Sequence, residues 1–332
     1  MIIEECAYAR AGLLGNPSDG YFGKTISISV KNFGARVILY ESPELHIEPA
    51  DYDLNNYRNI YSLVEQINQN GYYGGDRLIK AAIKKFVEYC KSNNINLESK
   101  NFTIRYHTNI PRQVGLAGSS AIITATIRAL IKFYKISIPK EILPTLILNA
   151  ELEELGINAG LQDRVIQVYE GCVFMDFEKE FLKEHNHGKY ISLAPNKITQ
   201  NLYIAYKTDL SKVSGAVLNN IRVRYDQGDE EVIGTLSKIA ALAELGKKYV
   251  EDGNYEELNN LINQNFDLRK KIMNISQSNI ELVETARKCS ASAKFSGSGG
   301  AIIGLYKDDE MLTHLIVELK KINARVIKPF IL

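Results

Sequence analysis

The chain has almost no net charge: 40 Lys and Arg stand against 39 Asp and Glu in 332 residues, a formal +1. With no global field to draw in nucleic acid or an anionic membrane, any anion has to be bound by a local constellation. No apolar run is long enough to span a bilayer, since the strongest, around Ala121 to Leu130, is broken by Thr124, Thr126 and Arg128. The stretch Met1 to Arg10 carries two glutamates where a secretory leader would carry a basic region and then an apolar one, so no signal peptide is expected. The 4 cysteines, Cys6, Cys90, Cys172 and Cys289, are far apart and show no paired spacing, which excludes a zinc knuckle and a dithiol redox couple. They fit a reducing cytoplasm, with Cys6 and Cys172 expected as buried, inert thiols in apolar stretches. Internal repeats and low-complexity segments are also missing.

What is present is ordinary globular material, 45% hydrophobic and 24% charged residues, in a length that suits two domains with a cleft. The sequence opens as a strand, a glycine-rich turn region from Gly12 to Gly23 and a second strand from Thr25 to Val30. Leu78, Ile79, Ala82, Ile83, Phe86 and Val87 have helical spacing. A strand, Phe102 to Thr108, then leads through a loop into a helix from about Ser120 to Tyr134. A further helix ends near Leu155, and Asp163 to Glu170 reads as another before the strand Cys172 to Phe177. The polar stretch 178–200 marks a boundary, giving domains 1–195 and 196–332. Helices near 230–250, 255–272 and 280–289, and strands at 201–208, 301–306 and 326–332, complete an α+β pattern.

Two glycine clusters carry chemistry. Gly115, Leu116, Ala117, Gly118, Ser119, Ser120 and Ala121 precede a helix, where free backbone N–H groups and the helix dipole converge on a phosphate-sized anion. A serine there can cap the helix and ligate magnesium; the plainer reading is an ordinary capped helix start. Gly297, Ser298 and Gly299 lie between a helix and a strand, and their plainer reading is a tight turn. Neither cluster has Walker spacing, and the protein-kinase catalytic-loop and magnesium signatures are absent.

In this order, Ala9-Arg-Ala-Gly-Leu-Leu-Gly-Asn16, the Gly115 to Ala121 loop and Phe295 to Ala301 resemble the three motifs of the GHMP kinases. Ala117 is one residue more than the common second motif has. Gly15-Asn-Pro-Ser-Asp19, Pro111-Arg-Gln113, Gly160-Leu-Gln-Asp-Arg-Val165, Asn265-Phe-Asp-Leu-Arg269 and Lys294 to Ala301 narrow the resemblance to the glucuronokinase subfamily, through nearly the whole chain.

The resemblance implies a ribosomal S5 domain 2-like N-terminal domain with the phosphate loop and a ferredoxin-like C-terminal domain. It implies ATP and Mg2+ as cofactors and a small-molecule sugar or sugar-acid substrate, and the near-zero net charge leads to the expectation of no nucleic-acid or membrane partner. Asp163 is implied as the base that accepts or orients the acceptor hydroxyl, and Arg10 as the cation on the transferred phosphoryl group, with Lys24 as an alternative. Glu151 is implied as the magnesium carboxylate with Ser120 as its partner, while Glu153 and Glu154 read as a solvated acidic face. Asn16, Ser18 and Asp19 are substrate candidates whose plainer reading is a hydrogen-bonded turn. For a substrate carboxylate, Arg112, Arg164, Arg222 and Arg224 stand as candidates. His185 and His187 lack a ligand set and read as loop residues.

The expected reaction is transfer of the ATP γ-phosphate to D-glucuronate at its anomeric hydroxyl. Another acceptor (galacturonate, a neutral sugar or mevalonate) and a non-catalytic sensor are the alternatives. Residues 54–75 are a candidate adenine loop; oligomeric state leaves no mark in the sequence.

Overall fold

In a computed structural model, residues 1–48, 75–194, 201–209 and 219–331 are described. The expected domain boundary at 195 and the candidate adenine loop, apart from Gly75, lie outside them. By contacts the chain forms two compact units. One comprises Met1–Ala7, Gly34–Asn109 and Gly118–Ala159; the other comprises Tyr8–Phe33, Ile110–Ala117 and Gly160–Leu332. The units are therefore interleaved in sequence, because the two long strands β1 (Ile2–Leu14) and β2 (Lys24–Ser42) each pass from one to the other.

In the first unit, β4 (Asn101–Thr108) pairs antiparallel with the far half of β2, Ala35 opposite Thr108 through Ser42 opposite Asn101. The two-residue β3 (His46–Ile47) lies parallel to β4. Helices α1 (Gly75–Ser92), α2 (Gly118–Tyr134) and α3 (Leu143–Leu152) cover it. α1 buries Leu78, Ile79, Ala82 and Phe86 as its spacing predicts, with Cys90 beside them, while Ile83 and Val87 are half-buried. Each large apolar side chain so buried contributes about 1.5–3 kcal/mol. α2 is buried nearly all round, and it accommodates two threonines because Thr124 and Thr126 donate their hydroxyls to the carbonyls of Ser120 and Ile122, 2.8 Å each. Phe102 and Phe133 meet edge to face at 5.4 Å beneath it.

In the second unit, the near half of β2 pairs antiparallel with β5 (Cys172–Asp176), which α4 (Gln162–Tyr169) precedes. The stretch read as a polar connection instead holds α5 (Lys179–His185) and β6 (Lys189–Leu193). The Glu178 carboxylate caps α5 by accepting from the N–H groups of Glu180 and Phe181. α6 (Asn219–Asp226), α7 (Glu230–Asp252), α8 (Tyr255–Ile272) and α9 (Gln277–Lys288) follow β7 (Leu202–Lys207). Then come β8 (Lys294–Phe295), β9 (Ala301–Leu305), α10 (Asp309–Lys321) and β10 (Ala324–Ile327).

These four strands form an antiparallel sheet in the order β10-β7-β9-β8. With helices between β7 and β8 and between β9 and β10, this is the ferredoxin-like topology the resemblance implied. The core of that sheet is built on Tyr203, Phe266, Phe295, Ile302 and Leu315. Cys172 is buried, which pushes its thiol up to about 12. Cys6 departs from expectation: it is only partly buried, being near the start of a strand with an exposed neighbour at Glu4. No helix among the described residues is long and apolar enough to cross a membrane.

Candidate active site

β1 brings Arg10 into the interior of the second unit, where it is 6% exposed. A buried guanidinium needs acceptors on every edge. Its Nε donates to Asp163 Oδ1 at 2.8 Å, with Nη2 2.5 Å from the same oxygen. Its Nη1 donates to the carbonyls of Ser296 at 2.5 Å and Gly115 at 3.2 Å. The strand's own amides reinforce the arrangement: Arg10 N–H donates to Leu116 O at 3.1 Å and Gly12 N–H to Ser296 O at 2.7 Å. One side chain thus holds together the first motif, the start of the second and the third.

Asp163 stands in the first turn of α4. Its second oxygen, Oδ2, is 3.4 Å from Nη1 of the buried Arg164, which also donates to Gly160 O at 2.8 Å. Burial, then the nearby Arg10 charge, pulls Arg164 down to about 9. Asp19 belongs to the same charge cluster. Burial, helped by the Asp163 carboxylate and opposed by Arg10 and Arg164, pushes it up to about 6. A side chain at Gly160 would press on the Asp19 carboxylate, so the glycine keeps that group in place. Asn16 and Ser18, by contrast, are turned inward. The Asn16 amide accepts from Lys294 Nζ at 2.5 Å, a contact from far along the chain, and Ser18 Oγ donates locally to Lys24 O at 2.9 Å.

The two glycine loops meet in this unit. A Cβ at Gly297 would collide with the Gly115 carbonyl and reach Arg10 Nη1, and one at Gly115, φ +70°, would lie 3.0 Å from Ser298 N. Ala117, the additional residue of the second loop, adopts the left-handed region at φ +63°, and Gln167 Nε2 donates to its carbonyl at 2.8 Å.

Beneath the third motif sit residues to which the sequence reading assigned no role. Lys294 is 1% exposed, and its Nζ donates to the carbonyls of Gly12 at 2.6 Å and Phe295 at 2.8 Å as well as to Asn16. Burial and the charge of Arg269 hold it well below its usual range. Arg269 donates to Gly297 O at 2.8 Å and packs on the Phe295 ring. Asn265 accepts from Gly15 N–H and donates to Asn16 O, and Asn279 accepts from Gly300 N–H. The one signal for them was that Asn265 to Arg269 and Lys294 lay inside family strings.

In the first unit, α2 begins with Gly118, Ser119, Ser120 and Ala121. The carboxylate of Glu151, on α3 and 0% exposed, accepts from Ser119 Oγ at 2.8 Å, while Ser120 is buried beside it in sequence. Glu151, Ser119 and Ser120 are all hard oxygen donors. No group of three or more His, Cys, Asp or Glu among the described residues could hold a metal. That combination fits a magnesium ion that takes most of its ligands from phosphate oxygens and water. Glu153 and Glu154 instead face Lys84 and Lys85 of α1, with Lys85 Nζ 2.5 Å and 3.0 Å from the two carboxylates.

Lys24 pairs with Glu244 at 2.5 Å and Asp176 at 3.5 Å, and those partners raise its pKa. Arg224 is held by Asp229 at 2.7 Å and Glu231 at 3.2 Å, Arg112 is exposed, and Arg222 lies over Tyr21. His185 stacks on Phe181, and His187 meets the same ring edge to face.

Residues 77–171 match the family model described as GHMP kinases N terminal domain, and residues 240–321 match GHMP kinases C terminal. The chain is 44% identical to probable glucuronokinase 2 of Arabidopsis thaliana over 335 residues, 99% of this chain and 91% of the relative. It is also 44% identical to glucuronokinase 1 of the same plant over 311 residues, 91% of this chain and 84% of that one. The crystal structure of Methanococcus jannaschii mevalonate kinase superposes with a TM-score of 0.70 at 22% identity, covering 100% of this chain and 98% of that one, which speaks for the fold. With the Arg10–Asp163 pair linking all three glycine-bearing motifs, these matches show that the chain belongs to the GHMP kinase family.

Proposed function

We propose that this kinase transfers the γ-phosphate of ATP to the anomeric hydroxyl of D-glucuronate, giving D-glucuronate 1-phosphate and ADP. The observation that carries the reaction type is the Asp163–Arg10 pair, 2.8 Å from Nε to Oδ1, set against the glycine loops at 115 and 297. The acid-sugar substrate follows from the 44% identity to two glucuronokinases.

Phosphoryl transfer needs alignment and charge neutralisation more than covalent help. The backbone amides of 115–121 and 297–299 hold the phosphates. Asp163 accepts a hydrogen bond from the anomeric hydroxyl and orients it on the γ-phosphorus; as the new O–P bond forms and the bond to the β-phosphate oxygen breaks, the hydroxyl proton passes to the carboxylate. Arg10 fixes the carboxylate and offsets charge on the transferred group. Glu151 with Ser119 and Ser120 would hold magnesium, which supplies charge neutralisation on the phosphate oxygens. Asp19 accepts from sugar hydroxyls when ionised.

Incubation with Mg-ATP and D-glucuronate, followed by ³¹P NMR, tests this. A phosphate resonance coupled to the anomeric proton is expected. Phosphate on any other carbon, or only free phosphate, would overturn it.

A further inference from the structure

Four arginines were open as partners for a substrate carboxylate, and their surroundings differ. Arg224 has its guanidinium engaged by Asp229, Glu231 and the Ile272 carbonyl. Arg164 has a side chain 4% exposed and bonded to the Gly160 carbonyl, where it serves the Asp163 turn. Arg112 stands on the exposed turn before Gly115.

Arg222 is different. Its guanidinium lies 4.3 Å from the centroid of the Tyr21 ring, and Nη2 donates to the Gly20 carbonyl at 2.5 Å. Tyr21 is itself held by Tyr225, centroids 4.8 Å apart, on the apolar cluster of Ile221, Val232 and Leu236. The fork is therefore aimed before any ligand arrives, which removes much of the ordering cost of binding. Yet the side chain is 41% exposed, and its nearest carboxylate, Asp226 at 3.8 Å, is beyond hydrogen-bond length and well solvated. Such a solvated pair is weak and yields easily to a better-placed anion.

Its position also suits the substrate. Gly20 follows Asp19, and a Cβ placed at Gly160, three residues before Asp163, would meet the Asp19 carboxylate and lie 3.9 Å from Gly20 N. In a hexuronate pyranose, the anomeric carbon and the carbon bearing the carboxylate flank the ring oxygen. A site that presents the anomeric hydroxyl to Asp163 therefore needs its cation within one sugar ring of that base.

We infer that Arg222, stacked on Tyr21 and anchored to the Gly20 carbonyl, is the specificity-determining residue that recognises the substrate carboxylate. This rests on the sugar-acid reading of the preceding section. Two charge-assisted hydrogen bonds to the carboxylate discriminate against a neutral isostere, since the amide presents a donor to a donor-only guanidinium.

The test compares D-glucuronate with D-glucuronamide as acceptors for the wild type, Arg222→Met, Arg222→Gln and Arg222→Lys, with Arg224→Met as control and thermal melts to show that each variant is folded. The wild type and Arg224→Met should favour the acid by roughly 10- to 100-fold in kcat/KM. The loss in the Arg222 variants should fall on KM for the acid, bringing acid and amide within about 3-fold of each other for Met and Gln, and Lys should recover part of the difference. A folded Arg222→Met or Arg222→Gln that keeps the acid preference would overturn the clamp while leaving the sugar-acid reading intact. A wild type that phosphorylates neither compound would overturn the sugar-acid reading, and the clamp with it.

Discussion

At the scale of single residues, the site turns on two carboxylates with different surroundings. Asp163 is tied to Arg10 and is the group we propose to meet the acceptor hydroxyl. Asp163→Asn keeps the shape and removes the proton acceptor, so kcat should fall by about 10²- to 10⁴-fold with KM for the sugar little changed. Steady-state kinetics checks this, and a kcat within a factor of 3 of the wild type would remove Asp163 from the role.

Asp19 is pushed from 3.8 to about 6 by burial and by the Asp163 charge. Its folded pKa lies above its unfolded one, so the folded state holds the extra proton between these values and stability declines as pH rises from 3.8 through 6. Ionised Asp19 therefore costs the fold up to ~3 kcal/mol at neutral pH. Asp19→Asn should melt higher than the wild type at pH 7.5. The advantage should shrink as pH falls below 6 and vanish below 3.8. The same variant should bind sugar more weakly, a trade of stability for function of a kind common at active sites.

At the scale of elements, the loops were legible and their supports were not. Glycine strings ahead of a helix or a strand mark close backbone approach, and Gly115 and Gly297 do make such an approach. The helical period found α1, and the apolar run with its glycine-serine start found α2. Lys294 and Arg269 escaped because a lysine or arginine in sequence reads as solvated surface. Only the folded chain shows that backbone carbonyls of Gly12, Phe295 and Gly297 surround them. α5 and β6 escaped because a highly charged seven-residue helix and a five-residue strand carry too little periodicity.

The second loop provides a test at this scale. Ala117 sits at φ +63°, where a β-branched residue is strained and glycine is not. Ala117→Gly should change stability by less than ~1 kcal/mol, relief of strain being offset by a freer unfolded chain. Ala117→Val should destabilise the chain by about 1–2 kcal/mol and raise KM for ATP. Urea denaturation and ATP titration read both effects, and equal behaviour of the two variants would contradict the left-handed assignment. Gly297→Ala should lose ATP binding outright, because its Cβ would meet the Gly115 carbonyl.

At the scale of the whole molecule, the α+β class was legible from element order and the ferredoxin-like second half from the family resemblance, as the β10-β7-β9-β8 sheet bears out. The interleaving of the two compact units was not, since a single composition shift cannot reveal that strands as long as β1 and β2 serve both. A ligand that binds only the folded chain stabilises it by about 2.7 kcal/mol at a hundred times its Kd. Mg-ATP should accordingly raise Tm by more than ATP with EDTA, and Glu151→Gln should abolish the difference while leaving the response to ATP alone.

The central claim is the transfer of phosphate to a sugar acid, and a coupled ADP-release assay tests it most directly. The panel is D-glucuronate, D-galacturonate, D-glucose, D-galactose, L-arabinose and mevalonate, each with Mg-ATP. The site and the relatives predict ADP release that depends on acceptor and is fastest with D-glucuronate; faster release with a neutral sugar or mevalonate, or no acceptor-dependent release at all, would contradict it.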